Sequence, residues 1–135
     1  MTLMTDKERT QEIFESINAL PDLIADAENQ MVSLRHSMSA AVAEREDAEL
    51  NVMINAVIDG KNEAARKLQQ QQAVAESVEV KAATSVVHEL ENSIAVQEVL
   101  VKHLIKRWQG AMALAELQAA HLNLMAKYQQ KGQLQ

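Results

Sequence analysis

His88-Glu89-Leu90-Glu91-Asn92 is the stretch of this sequence that comes nearest to a catalytic motif, because it opens like the H-E-x-x-H helix of zinc proteases. That chemistry needs two imidazoles four residues apart on one helical face, and Asn92 stands where the second would be. A surface histidine beside helix charges accounts for His88 better. Di-iron bundles need Glu-x-x-His pairs facing inward. Here Ser85 precedes His88, Leu100 precedes His103 and Gln118 precedes His121, so none fits. The chain has no cysteine for a nucleophile, a thiolate ligand or a disulfide. Its three glycines are isolated, which leaves no Walker loop, no G-x-G-x-x-G and no G-x-S-x-G elbow. Carboxylates crowd at Glu44, Glu46, Asp47 and Glu49, where they read as a solvated helix face. We expect no enzyme, no metal site and no cofactor.

Cations gather in two places. Lys61, Arg66 and Lys67 form one cluster, and Lys102, Lys106 and Arg107 form a second beside Trp108. A nucleic-acid reading sets these cations on phosphates and stacks a base on Trp108. Trp108 also falls on a heptad a position, where burial explains it without a ligand. The formal net charge of −6 opposes a protein built to grip phosphate backbones. Both clusters are candidate interaction sites, with nucleic-acid association as the alternative to protein contacts.

The segment Asn55-Ala56-Val57-Ile58-Asp59-Gly60-Lys61-Asn62-Glu63-Ala64-Ala65-Arg66-Lys67 resembles small helical proteins encoded by phages and prophages. In those, a long helix ends in a Gly-Lys-Asn-Glu turn, an Arg follows shortly, and a second long helix comes after. Gly60, Lys61, Asn62, Glu63 and Arg66 match. The resemblance implies a phage or mobile-element setting and transfers no activity.

The elements that must hold these residues are helices. Thr5-Asp6-Lys7-Glu8 is a capping box, with the Thr5 hydroxyl accepting from Glu8 and Glu8 reaching back. From there a heptad runs with a at 17, 24, 31, 38, 45 and 52 and d at 13, 20, 27, 34, 41, 48 and 55. Pro21 lacks an N–H, yet the apolar phase crosses it, so one kinked helix over residues 6–58 is expected. Gly60 suits a left-handed C′ position that ends this helix. Asn62 then caps an elbow helix over 62–76. A return helix over 78–130 carries a at Val80, Val87, Ile94, Val101, Trp108, Ala115 and Leu122, and d at Ala83, Leu90, Gln97, Leu104, Ala111, Gln118 and Met125. Tails fill 1–5 and 131–135. Placing Val52 beside Val80 puts Met38 beside Ile94 and Ile24 beside Trp108.

Composition agrees. Among 135 residues there are 3 Gly, 1 Pro and three aromatics, while 47% are hydrophobic and 24% charged. That is helix chemistry, with little material for turn-rich or all-β folds. Residues 1–60 hold 12 acidic and 4 basic groups, net −8, and residues 61–135 hold 7 and 9, net +2. The imbalance favours the halves lying together. We expect a single all-α domain over 1–135: a long antiparallel, coiled-coil-like hairpin with a short elbow helix. Off-seam Val86, Leu100, Ile105, Met112, Leu114 and Leu117 widen the apolar stripe beyond what one partner helix covers. A homo-oligomer, with a dimer favoured, completes the bundle. Arg45 and Asn55 in the first seam and Gln97 and Gln118 in the second are polar residues of the kind that set register and oligomer state. No apolar run is long enough to span a bilayer and no secretory leader opens the chain, so a soluble cytoplasmic protein with an unknown protein partner is expected.

Overall fold

A computed structural model describes residues 4–134 and is all-helical, with α1 (Asp6–Asn55), α2 (Glu63–Glu76) and α3 (Val78–Leu134). Met4 and Thr5 precede α1 and are not helical; the remainder of the expected 1–5 tail, and Gln135, lie outside the described residues. Thr5 caps α1 reciprocally: the Glu8 N–H donates to the Thr5 hydroxyl at 3.2 Å and the Thr5 N–H donates to the Glu8 carboxylate at 3.1 Å. α1 runs through Pro21 without a break. The proline ring removes one backbone donor there, and packing on both sides compensates, because Leu20 is buried and Ile24 packs into the same cluster.

α1 stops at Asn55, short of the expected residue 58. Ile54 and Asn55 are exposed and Val57 is almost fully so, which leaves the last heptad with no surface to bury. Gly60 does not take the left-handed conformation expected of it, since no described residue has positive φ. A close approach favours glycine here. A Cβ would sit 3.0 Å from the Arg66 nitrogen and 3.1 Å from the Ala65 carbonyl carbon and Cβ, so the start of α2 would have to give by a few tenths of an ångström to admit one. Asn62 caps α2, its side chain accepting from the Ala65 N–H at 2.8 Å. Ser77, with extended backbone, separates α2 from α3 and accepts from the Val80 N–H at 3.3 Å. α3 continues to Leu134, through most of the stretch expected as a 131–135 tail.

The chain divides into two compact units, Met1–Asn29 with Val99–Gln135 and Gln30–Glu98. In the first, Leu20, Ala27, Leu104 and Ala111 form a buried cluster, with Ile17, Ile24, Val101 and Trp108 packed against it. Gln118 donates to the Thr10 hydroxyl at 3.1 Å and so fixes the level of the two helices. Stepping along both from that bond pairs Ile17 with Ala111, Leu20 with Trp108, Ile24 with Leu104 and Ala27 with Val101. In the second unit Gln97 donates to Gln30 at 3.3 Å, and the same steps bring Ala41 to within one residue of Val87 and Ala48 to within one residue of Val80. The register therefore differs by one helical turn from the expected Ile24–Trp108 and Val52–Val80 alignment. Antiparallel helices set an a position of one against a d position of the other, and the expected alignment had matched a with a.

Every residue that is fully buried occupies an a or d position: Leu20, Ala27, Met31, Ala41, Val80, Val87, Leu104 and Ala111, with the polar Gln97 and Gln118. The heptad phase thus confines burial to the seam, though Asn55, Leu122 and Met125 lie on it and are exposed.

Candidate interaction surfaces

The elbow cluster is mostly engaged in building the elbow. Arg66 donates through Nε to the Gly60 carbonyl at 3.1 Å, holding the loop against the first turn of α2. Lys67 forms an exposed pair with Glu63 at 3.8 Å, one turn away. Only Lys61 of the three makes no such contact among the described residues, and it is exposed. The latch is completed by two residues that carried no sequence signal. Gln69 accepts from the N–H groups of Asp59 and Gly60 at 3.2 and 3.1 Å, and donates back to the Asp59 carboxylate at 2.6 Å. Residues ten apart across a turn follow no helical or strand periodicity, so only the folded loop reveals them.

The second cluster is different. Lys102, Lys106 and Arg107 are all exposed on α3, and none enters an ion pair among the described residues. Trp108 is not part of that open surface. It is half-buried against the Leu20–Ala111 cluster, and its Nε1 is buried without a hydrogen-bond partner. The indole is levelled with Leu20 among aliphatic neighbours, which offer no acceptor. An unmet buried donor of this kind costs about 1–3 kcal/mol.

The polar seam residues divide. Gln97 and Gln118 are buried, Arg45 is half-buried and Asn55 is exposed. Gln118 closes the outer end of the first unit. Besides its bond to Thr10 it donates to the Asp6 carbonyl at 3.4 Å, the Thr10 hydroxyl donates to the same carbonyl at 2.7 Å, and His121 Nε2 lies 3.4 Å from the Asp6 carboxylate. The capped first turn of α1 is thereby tied to α3. Asp6 and Thr10 fall on d and a when the first heptad is carried one step further toward the N-terminus, which is the signal that would have found them. In the second unit, Arg35 and Glu98 approach to 4.0 Å on the surface.

The four histidines stay apart. His36 and His103 are exposed, His88 contacts Glu91 at 3.3 Å and His121 contacts Asp6. No group of three or more His, Asp or Glu side chains able to hold a metal ion gathers among the described residues.

Large apolar side chains remain exposed along α3 outside the seam. In the first unit these include Leu100, Leu114, Leu117, Leu124 and Tyr128. The seam itself opens at its end, where Leu122 and Met125 are exposed. Asp6, the first residue of α1, is level with His121, so the last turns of α3 run on without α1 beside them. No helix among the described residues is long and apolar enough to cross a membrane. No family model, curated protein or solved structure matches the chain.

Proposed function

We propose that this chain is a non-enzymatic, homo-oligomeric helical protein, a cytoplasmic dimer that completes a four-helix bundle and acts through protein–protein contacts. A phage or mobile-element accessory or assembly factor is the setting. The observation that carries the reading is the row of exposed Leu and Tyr side chains on α3, at helical spacing and outside the seam. Several large apolar groups exposed on one side of a helix mark contact surfaces more often than they mark solvent-facing helix. The setting rests on the Gly60-Lys61-Asn62-Glu63 elbow with Arg66. Light scattering after size exclusion at micromolar concentration tests the reading, and a mass of at least twice the 15.0 kDa chain is expected. A stable monomer refutes it.

A nucleic-acid-associated helper is the second reading, favoured by the exposed cations Lys102, Lys106 and Arg107, which lack anionic partners among the described residues. Submicromolar binding to DNA that falls steeply with salt would establish it over the first.

A further inference from the structure

We propose that Asp59-Gly60 is a site of covalent self-modification, where the Gly60 nitrogen closes on the Asp59 side chain and the linkage reopens as isoaspartate. The closed elbow holds this reaction in check through one side chain, Gln69. The sequence marks the place. Asp59 alone among the chain's aspartates and asparagines is followed by glycine. With no Cβ beside it, a glycine nitrogen is the least hindered amide for attack on a neighbouring side chain. The structure marks the place a second time. Asp6, Asp22, Asp26 and Asp47 all lie in α1, whose regular backbone holds the next nitrogen away from the carboxyl carbon. Asp59 is exposed and lies in the non-helical stretch 56–62 between α1 and α2.

The step balances with the chain's own atoms and water. A bond forms between the Gly60 nitrogen and Asp59 Cγ, and a C–O bond of the carboxyl group breaks. The amide proton and the carboxyl hydroxyl leave together as water, which gives a cyclic succinimide. Water then adds to one of the ring's carbonyls. Addition at Cγ restores aspartate. Addition at the main-chain carbonyl breaks the original peptide bond to Gly60 and leaves the chain running through Cγ.

Gln69 spans both reacting groups with one carboxamide. Its Oε1 accepts from the Gly60 N–H at 3.1 Å and its Nε2 donates to Asp59 Oδ1 at 2.6 Å. Ring closure needs the nitrogen to lose its proton and Cγ to swing onto it, so both bonds must open first. Oε1 also accepts from the Asp59 N–H at 3.2 Å, which holds the backbone on the other side of the carboxyl group. Arg66 donates to the Gly60 carbonyl at 3.1 Å, and that bond involves neither reacting atom. The product is too long for the closed elbow. Isoaspartate adds a methylene to the backbone where a Cβ on Gly60 already comes within 3.0 Å of the Arg66 nitrogen. An elbow that opens long enough to react is thus kept from closing again, with no change in mass or formal charge.

The test ages the full chain at neutral pH and physiological temperature, folded and in urea. Isoaspartate at residue 59 is read by peptide mass spectrometry with electron-transfer fragmentation. In urea the wild type should form it at residue 59 ahead of every other aspartate or asparagine. The folded wild type should be slower on the order of tenfold, the worth of the two hydrogen bonds that must open. Gln69→Ala should recover most of the unfolded rate while circular dichroism shows its helices retained. Arg66→Ala loosens the same loop but leaves Gln69 on both groups, and should stay near the folded wild-type rate. No isoaspartate at residue 59 in urea overturns the site. The guarding role of Gln69 is overturned by a folded wild type as fast as the unfolded chain or by a Gln69→Ala no faster than wild type. Equal acceleration in both variants, or acceleration of Gln69→Ala together with loss of helicity, overturns it as well.

Discussion

Trp108 and Gly60 owe their places to packing. For Trp108 the two parts of the side chain act in opposite directions. The ring contributes apolar contact to the Leu20–Ala111 cluster, and the buried Nε1 subtracts from it by lacking an acceptor. Trp108→Ala should therefore destabilise by about 2–3 kcal/mol, below the range for a fully enclosed aromatic, because the residue is half-buried. Trp108→Phe keeps most of the ring and deletes the unmet donor, so chemical denaturation should find it within about 1 kcal/mol of the wild type or more stable. A Phe variant as unstable as the Ala variant would show that the indole makes a hydrogen bond. Gly60 is constrained from the other direction. Gly60→Ala pushes a methyl group against the Arg66 nitrogen and the Ala65 carbonyl carbon, and should cost about 1–3 kcal/mol with a looser elbow.

At the scale of the element, the capped ends govern stability. Thr5 and Glu8 exchange two hydrogen bonds at the start of α1, and the same turn is bonded to Gln118 and His121. Thr5→Ala should lower stability by about 1 kcal/mol, with fraying of the first turn of α1 in amide exchange. The elbow behaves as a second such unit. Gln69 holds both N–H groups of Asp59 and Gly60 and no helix supplies substitutes for it. Gln69→Ala should raise amide exchange at those two residues by at least tenfold while leaving protection in the α1 and α3 seam unchanged. Gly110 offers the converse case. It lies inside α3 with open space around it, so Ala there should add about 0.5–1 kcal/mol to the helix from backbone entropy alone.

At the scale of the whole molecule, apolar surface and charge decide what the protein meets. The acidic excess, net −6, sets a repulsive background for polyanions that three cations on α3 must overcome. We expect no submicromolar affinity for duplex or single-stranded DNA at physiological salt, checked by fluorescence anisotropy over a salt series. Self-association through the exposed leucines of α3 would be apolar in its contact. Association should strengthen with added sulfate and depend weakly on sodium chloride, as apolar contact does, and size exclusion in the two salts would distinguish this from charge-driven assembly.

Periodicity and capping chemistry are local, and so the sequence alone determined that this chain is helical, where Thr5 and Asn62 begin helices, and to which positions burial is confined. All fully buried side chains sit on a or d because a 3.6-residue repeat leaves one stripe to hide. Three things were decided only by tertiary structure. The level of one helix against the other came from Gln118 meeting Thr10, since a heptad has the same phase after every shift of seven residues and only a specific long-range bond selects among them. The place where α1 stops came from its running out of surface to pack on beyond Val52, a property of the neighbour and not of Asn55. The role of Gly60 came from a backbone approach by Arg66 that no spacing encodes, because steric contact across a loop depends on how the loop closes. For the cations the division is the same. Residue type marked Arg66 and Arg107 alike, and folding set Arg66, itself exposed, on the Gly60 carbonyl while leaving Arg107 without an ion pair among the described residues.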